Sequence, residues 1–207
     1  MKIIAHRGAS IEHPENSIDS IIQALSHEVD AVEIDVHLSK DEIPVVIHDD
    51  SLERTHGDKR YVHDCFAKDL PVPTLMQVLE LKRDCLLMIE IKEGRHDGRK
   101  LVEKVVEIAR GHSKIVLASF CHDLLKGIED FEVMGLSCEK NHIPPFEWIC
   151  LDHNIIDIEL MQGLQGKRVW TFTVDCPDKA IALSQMGVEG IITNDPRPHK
   201  VRRNSAS

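Results

Sequence analysis

Positive charge is what this sequence has too little of: 25 Lys and Arg stand against 35 Asp and Glu, a formal net charge of −10. A protein that grips a nucleic-acid backbone or an anionic membrane surface needs a basic face, so neither partner is expected. Long apolar runs are missing as well. The opening Met1-Lys2-Ile3-Ile4-Ala5-His6 lacks the stretch of a signal peptide, and no later segment is unbroken enough to span a bilayer. The expectation is a soluble, cytoplasmic protein with no stable membrane insertion. Paired cysteines are absent too: Cys65, Cys85, Cys121, Cys138, Cys150 and Cys176 are scattered, with no Cys-x-x-Cys spacing. That argues against a disulfide framework and a thiolate zinc centre, and for free buried thiols. There is no internal repeat and no low-complexity tract, and nothing in the sequence speaks to oligomeric state.

What is present is alternation. The 207 residues fit one sizeable domain, expected over 1–196, followed by a polar tail at 197–207 expected to be disordered. Short β-branched runs predict strands at 2–6, 31–36, 86–91, 115–119, 133–137, 148–152, 168–174 and 190–193. Between them, helical spacing predicts helices at 17–27, 74–82, 99–110, 122–128, 158–164 and 177–186. Thr74 and Asp178 suit helix starts, and Gly111, Gly166 and Gly187 suit helix ends. Strands alternating with helices predict an α/β fold, a closed eight-strand barrel or an open doubly wound sheet. One more strand-like run, 44–48, follows Val36 too closely for a crossover helix and must return as a hairpin. A two-residue turn at Asp41 and Glu42 would set Asp35 opposite His48.

In a parallel barrel the strand C-termini share one face. The first strand ends in His6-Arg7-Gly8, the second carries Glu33 and Asp35, the hairpin ends in His48-Asp49, and the third strand carries Glu90 and Lys92. Residues two apart on a strand point to the same side, so each acidic pair faces one way, with apolar residues on the other. A single pair of this kind would be read as the solvent face of an antiparallel sheet. Two pairs on adjacent strands reverse that reading. Three crowded carboxylates repel unless a cation neutralises them, and oxygen ligands suit Mg²⁺ or Ca²⁺. Arg7 beside such an ion suits a phosphate oxygen. Thirteen histidines make any one of them an ordinary surface or packing residue, and His13, His27, His63, His96, His112 and His199 are set aside on that ground. His6 and His48 differ because each ends a strand at the expected mouth, where an imidazole can pass a proton.

These residues carry a resemblance. His6-Arg7-Gly8, Pro14-Glu15-Asn16-Ser17, Val32-Glu33-Ile34-Asp35-Val36 and Pro44-Val45-Val46-Ile47-His48-Asp49-Asp50 resemble the blocks of glycerophosphodiester phosphodiesterases. Pro73-Thr74-Leu75, Ile89-Glu90-Ile91-Lys92, Ser119-Phe120, Thr173-Val174-Asp175 and Gly187-Val188-Glu189-Gly190-Ile191-Ile192-Thr193 are similar to its later ones, in order. The resemblance implies a TIM-type (β/α)8 barrel with a small hairpin after the second strand. It implies a divalent ion on Glu33, Asp35 and Glu90, with His6 and His48 as the acid/base pair. Arg7 and Lys92 would hold the phosphate of a small-molecule phosphodiester, with Glu15 and Asn16 close by. Two departures bear on substrate choice. Phe172 stands where the family usually has Trp, with Trp170 two positions earlier and Asp175 in place of Asn, which alters the aromatic wall. The stretch 54–73 is shorter than the loop that usually covers the glycerol end. Rival expectations are a lysophospholipase D-like or phosphoinositide-cleaving enzyme, and a noncatalytic barrel that binds a phosphorylated metabolite.

Overall fold

Alternating inward and outward residues on parallel strands are what fold this chain into a closed sheet. The computed structural model describes residues 1–199. Eight parallel strands are β1 (Lys2–His6), β2 (Ala31–Leu38), β4 (Leu86–Ile91), β5 (Ile115–Ser119), β6 (Glu132–Ser137), β7 (Trp148–Asp152), β8 (Arg168–Phe172) and β9 (Gly190–Thr193). They pair in that order, and β9 returns to β1, closing a TIM-type barrel. The helices α1 (Ile18–Ser26), α3 (Leu75–Leu79), α4 (Gly98–Ala109), α5 (His122–Leu125), α6 (Ile158–Gly163) and α7 (Pro177–Gln185) connect the staves. Reciprocal caps start two of them, Ser17 with Ser20 and Thr74 with Gln77. None of the described helices is long and apolar enough to cross a membrane.

Strand parity divides the core in two. Ile3, Ala5, Val32, Ile34, Val36, Leu87 and Ile89 face outward and pack under the helices. Ile4, Ala31, Met88, Val116, Met134, Cys150, Trp170 and Ile192 face inward and fill the barrel. Trp148 and Trp170 meet edge to face inside it, with ring centroids 4.8 Å apart. Gly190 makes room for them, since a Cβ there would lie 2.9 Å from the Trp170 ring. His6, Glu33, Asp35 and Glu90 share the parity of Ile4, Ala31 and Met88, so they too point inward, above this apolar filling and toward the strand C-termini. Adjacent strands align them, His6 beside Glu33 and Asp35 beside Glu90.

The hairpin differs from expectation by one residue. Strand β3 (Pro44–Val46) pairs antiparallel with β2, Val36 opposite Val46 and His37 opposite Val45, so Asp35 lies opposite Ile47 and not His48. The turn holds three residues, with Glu42 left-handed at φ 58°, so it is a tight turn followed by a bulge rather than a two-residue loop. Other expectations also shift. Strand β8 stops at Phe172, and α3 and α5 end sooner than predicted. Asp178 is inside α7, whose Pro177 occupies the start. The stretch 53–69 forms the short helix α2 (Glu53–His56) and two 3-10 turns over a small core of Val45, Ile47, Leu52, Val62 and Leu70. All six thiols are free, but Cys138 and Cys176 are exposed and Cys85 and Cys121 only half-buried, because they sit at strand edges and loop starts. Of the tail expected at 197–207, residues 200–207 lie outside the described residues. Arg197 and His199 belong to the folded body: Arg197 pairs with Asp195 and Glu12, and His199 is buried beside Thr193.

Candidate active site

The loop after β1 sets the geometry of the mouth. Arg7 and Gly8 are both left-handed, with φ of 57° and 82°. Gly8 is required there, since a Cβ would lie 2.5 Å from the backbone of Ser20. The turn aims the Arg7 N–H at Glu33 Oε2, 2.9 Å away, and swings its guanidinium to Glu15 at 2.8 Å and Asp35 Oδ2 at 3.2 Å. Just past the end of β4, Lys92 Nζ reaches Glu90 Oε1 at 2.6 Å and stands 3.5 Å from Asp35 Oδ1.

Glu33, Asp35 and Glu90 meet above the barrel filling, each offering an oxygen within 4.8 Å of the others. All three are buried. Burial, then repulsion from Asp35 and Glu90, pushes Glu33 well above the ordinary carboxylate range. Burial and Asp35 raise Glu90 to about 7 despite its pairing with Lys92. Burial would raise Asp35 as well, but Lys92 and Arg7 hold it low. Glu33 Oε1 and Asp35 Oδ1 are buried and accept no hydrogen bond. Orphaned buried carboxylate oxygens are costly, and a hard divalent cation is the group whose chemistry fits them.

The two imidazoles flank this cluster. His6 Nε2 lies 4.0 Å from Glu33 Oε2, while its Nδ1 is 2.7 Å from Asn194 Oδ1. Burial and the neighbouring Arg7 lower its pKa. His48 Nδ1 is held by Asp49 at 2.6 Å. Arg54, from α2, grips Asp49 Oδ2 at 2.6 Å and both oxygens of Glu15, tying the hairpin to the first loop. Burial would raise Asp49, but its bonds to Arg54 and His48 bring it to about 2. Behind His48, the buried His37 bonds to its carbonyl oxygen at 3.0 Å.

His6, Arg7, Glu33, His48, Glu90, Lys92 and Phe172 line one cavity of about 150 Å³. Asp35 and Asn16 stand behind it, and Glu15 at its edge through Arg7 and Arg54. The opposite wall is apolar, with Phe120 packed edge to face on Phe172 at 5.7 Å. A wider groove of about 600 Å³ lies between α6 and α7 at the other rim, with no carboxylate or imidazole among its described lining. Sequence reasoning missed Asp49, Arg54, Asn194 and Phe120 as site residues. Asp49 was signalled by adjacency to His48, and Asn194 and Phe120 by following the ends of β9 and β5. Arg54 had no signal, since only folding of 53–69 brings it to the mouth.

Residues 6–132 match the model of the glycerophosphoryl diester phosphodiesterase family. A glycerophosphodiester phosphodiesterase of Caldanaerobacter subterraneus subsp. tengcongensis is 30% identical over 94% of this chain and 94% of its own length. Among solved structures, the Thermotoga maritima glycerophosphodiester phosphodiesterase superimposes with a TM-score of 0.87 at 23% identity, covering 99% of this chain and 98% of that one. An Oleispira antarctica phosphodiesterase in complex with the product sn-glycerol-3-phosphate gives 0.87 at 21% identity, covering 99% and 97%.

Proposed function

This chain belongs to the glycerophosphoryl diester phosphodiesterase family, and from that premise we propose that it hydrolyses glycerophosphodiesters to glycerol 3-phosphate and an alcohol with the help of one divalent ion. The observation that carries the reading is the meeting of three buried carboxylates, two of whose oxygens accept no hydrogen bond, with two cationic side chains and two imidazoles at one barrel mouth. Glu33, Asp35 and Glu90 would hold the ion. When bound, Mg²⁺ or Ca²⁺ would supply positive charge to a phosphoryl oxygen as a Lewis acid.

The protein's own groups do the rest. Arg7 and Lys92 bind the diester anion and stabilise the charge that grows as phosphorus becomes five-coordinate. Each imidazole has Nδ1 engaged, His6 by Asn194 and His48 by Asp49, so each presents Nε2 to the cavity. His6, buried against a neutral amide, suits proton removal from the nucleophile, water or the adjacent glycerol hydroxyl. His48, backed by an ionised carboxylate, suits delivery of a proton to the departing alkoxide. The P–O bond to the alcohol breaks as the new one forms; attack by water gives glycerol 3-phosphate at once, whereas attack by the glycerol hydroxyl gives a cyclic phosphate that water then opens. Phe120 and Phe172 form the wall beside which the organic part of the substrate lies. Because Phe120 is 40% exposed at the mouth, an acyl-bearing diester is the second reading.

The test is release of choline and glycerol 3-phosphate from glycerophosphocholine with Mg²⁺ or Ca²⁺, alongside lysophosphatidylcholine. Cleavage that stops on chelation supports the first reading, and preference for the lipid supports the second. No cleavage of any diester with any divalent ion sinks both.

A further inference from the structure

His6 is oriented by a relay that runs through two residues outside the cavity lining. Asp175, in the loop after β8, receives three donors: Thr193 Oγ1 at 2.9 Å, the Asn194 backbone N–H at 2.8 Å and the Asn194 Nδ2 at 2.8 Å. Burial alone would raise its pKa, but these bonds lower it, so Asp175 is ionised and accepts only. An amide beside an ionised carboxylate must turn its NH₂ toward it. That fixes which end of the Asn194 side chain is which: Oδ1 faces His6 Nδ1 at 2.7 Å and also receives the Ser10 hydroxyl at 3.3 Å. Facing an oxygen, Nδ1 of His6 has to carry the hydrogen, which leaves Nε2 with its lone pair aimed at the cavity.

We propose that Asp175 and Asn194 are positioning residues that hold His6 as the neutral tautomer protonated on Nδ1. The proposal deepens the catalytic reading of His6 and rests on it for its kinetic consequence. Free imidazole leaves this choice open, and the wrong tautomer would point an N–H at the nucleophile it should deprotonate. The hydrogen bonds that Asp175 receives come from Thr193 and Asn194, and it works by denying Asn194 the option of turning over.

The direct reading is the two-bond ¹⁵N–¹H correlation spectrum of the histidine-labelled protein, with His6 assigned from His6→Gln. Neutral His6 in the wild type is expected with its proton on Nδ1, and a proton on Nε2 overturns the proposal whatever the activity. In Asp175→Asn, amide faces amide and Asn194 is released. The expected result is a shift of His6 toward the Nε2 tautomer and a fall of about 10²-fold in kcat with KM nearly unchanged. The exchanged pair, Asp175→Asn with Asn194→Asp, again offers His6 an oxygen backed by an NH₂ donor. It is expected to recover the Nδ1 tautomer and at least tenfold of the lost kcat. Exchange losses equal to the combined single losses would mean a merely structural role and overturn the proposal. If instead His6→Gln keeps full activity while the tautomer pattern holds, the catalytic reading fails and the relay stands.

Discussion

Asn16 and Asp35 hold each other reciprocally: Asn16 Nδ2 donates to Asp35 Oδ2 at 2.8 Å, and the Asp35 backbone N–H donates back to Asn16 Oδ1 at 3.2 Å. Asn16 adopts a left-handed backbone, which asparagine tolerates, and is buried. With Oδ2 claimed by Asn16 and Arg7, Oδ1 is the oxygen left for a cation. Asn16→Leu is therefore expected to weaken Ca²⁺ or Mg²⁺ binding by about 10- to 100-fold without changing which ion is preferred. Calorimetric titration of the chelator-treated protein reads this, and an unchanged affinity would remove Asn16 from the metal site.

Glu33→Gln separates metal binding from folding. Without an ion, Glu33 is already driven toward its neutral form, so glutamine resembles the state it replaces. In chelator the variant should melt at or above the wild type, yet gain no stability when Ca²⁺ or Mg²⁺ is added, and it should be inactive. A full metal-induced rise in Tm would show that the ion binds elsewhere.

The ion's stabilising effect should grow with pH. Burial first, then repulsion from Asp35, raises Glu90 from its ordinary 4.5 to about 7. Between those values the metal-free folded state holds a proton that the unfolded chain has lost. The stability this group contributes is thus full below 4.5 and is lost as pH rises through about 7. A cation needs the ionised carboxylate, so the increment in Tm at fixed excess ion should be larger at about pH 8 than at about pH 5.5. Thermal melts in matched buffers check it; an increment that falls with pH contradicts it.

If His48 protonates the leaving alkoxide, its loss matters least when the leaving group needs no proton. His48→Asn should cost on the order of 10² or more in kcat on glycerophosphocholine but roughly tenfold or less on a nitrophenyl diester. Equal losses on both would reassign the proton donor.

Below the site, Gly190→Ala would drive a methyl against the Trp170 ring, whose nearest atom lies 2.9 Å away, with Ile4 close behind. Overpacking of this kind costs about 1–3 kcal/mol, and chemical denaturation should show it at unchanged metal affinity. A neutral result would mean the indole pair can slide.

Much of the barrel was legible because its strands are short, apolar and regularly spaced, and parity follows from a period of two. Glu33 with Asp35, and Glu90 with Lys92, could be placed on one side of their strands by that period alone. The hairpin register was misread by one position, since the left-handed Glu42 that lengthens its turn is not a residue that advertises a positive φ. The stretch 53–69 was missed as structure because helices of three or four residues leave no periodic pattern.

The sequence by itself determined the α/β class, the strand ends that could carry chemistry and the side of its strand that each acidic pair takes, all of which depend on local spacing. Tertiary structure alone decided the partners: Asp175 behind Asn194 behind His6, and Arg54 across Asp49 and Glu15. Such contacts join segments up to 188 residues apart, and no local rule sets a distance between side chains that only barrel closure brings together.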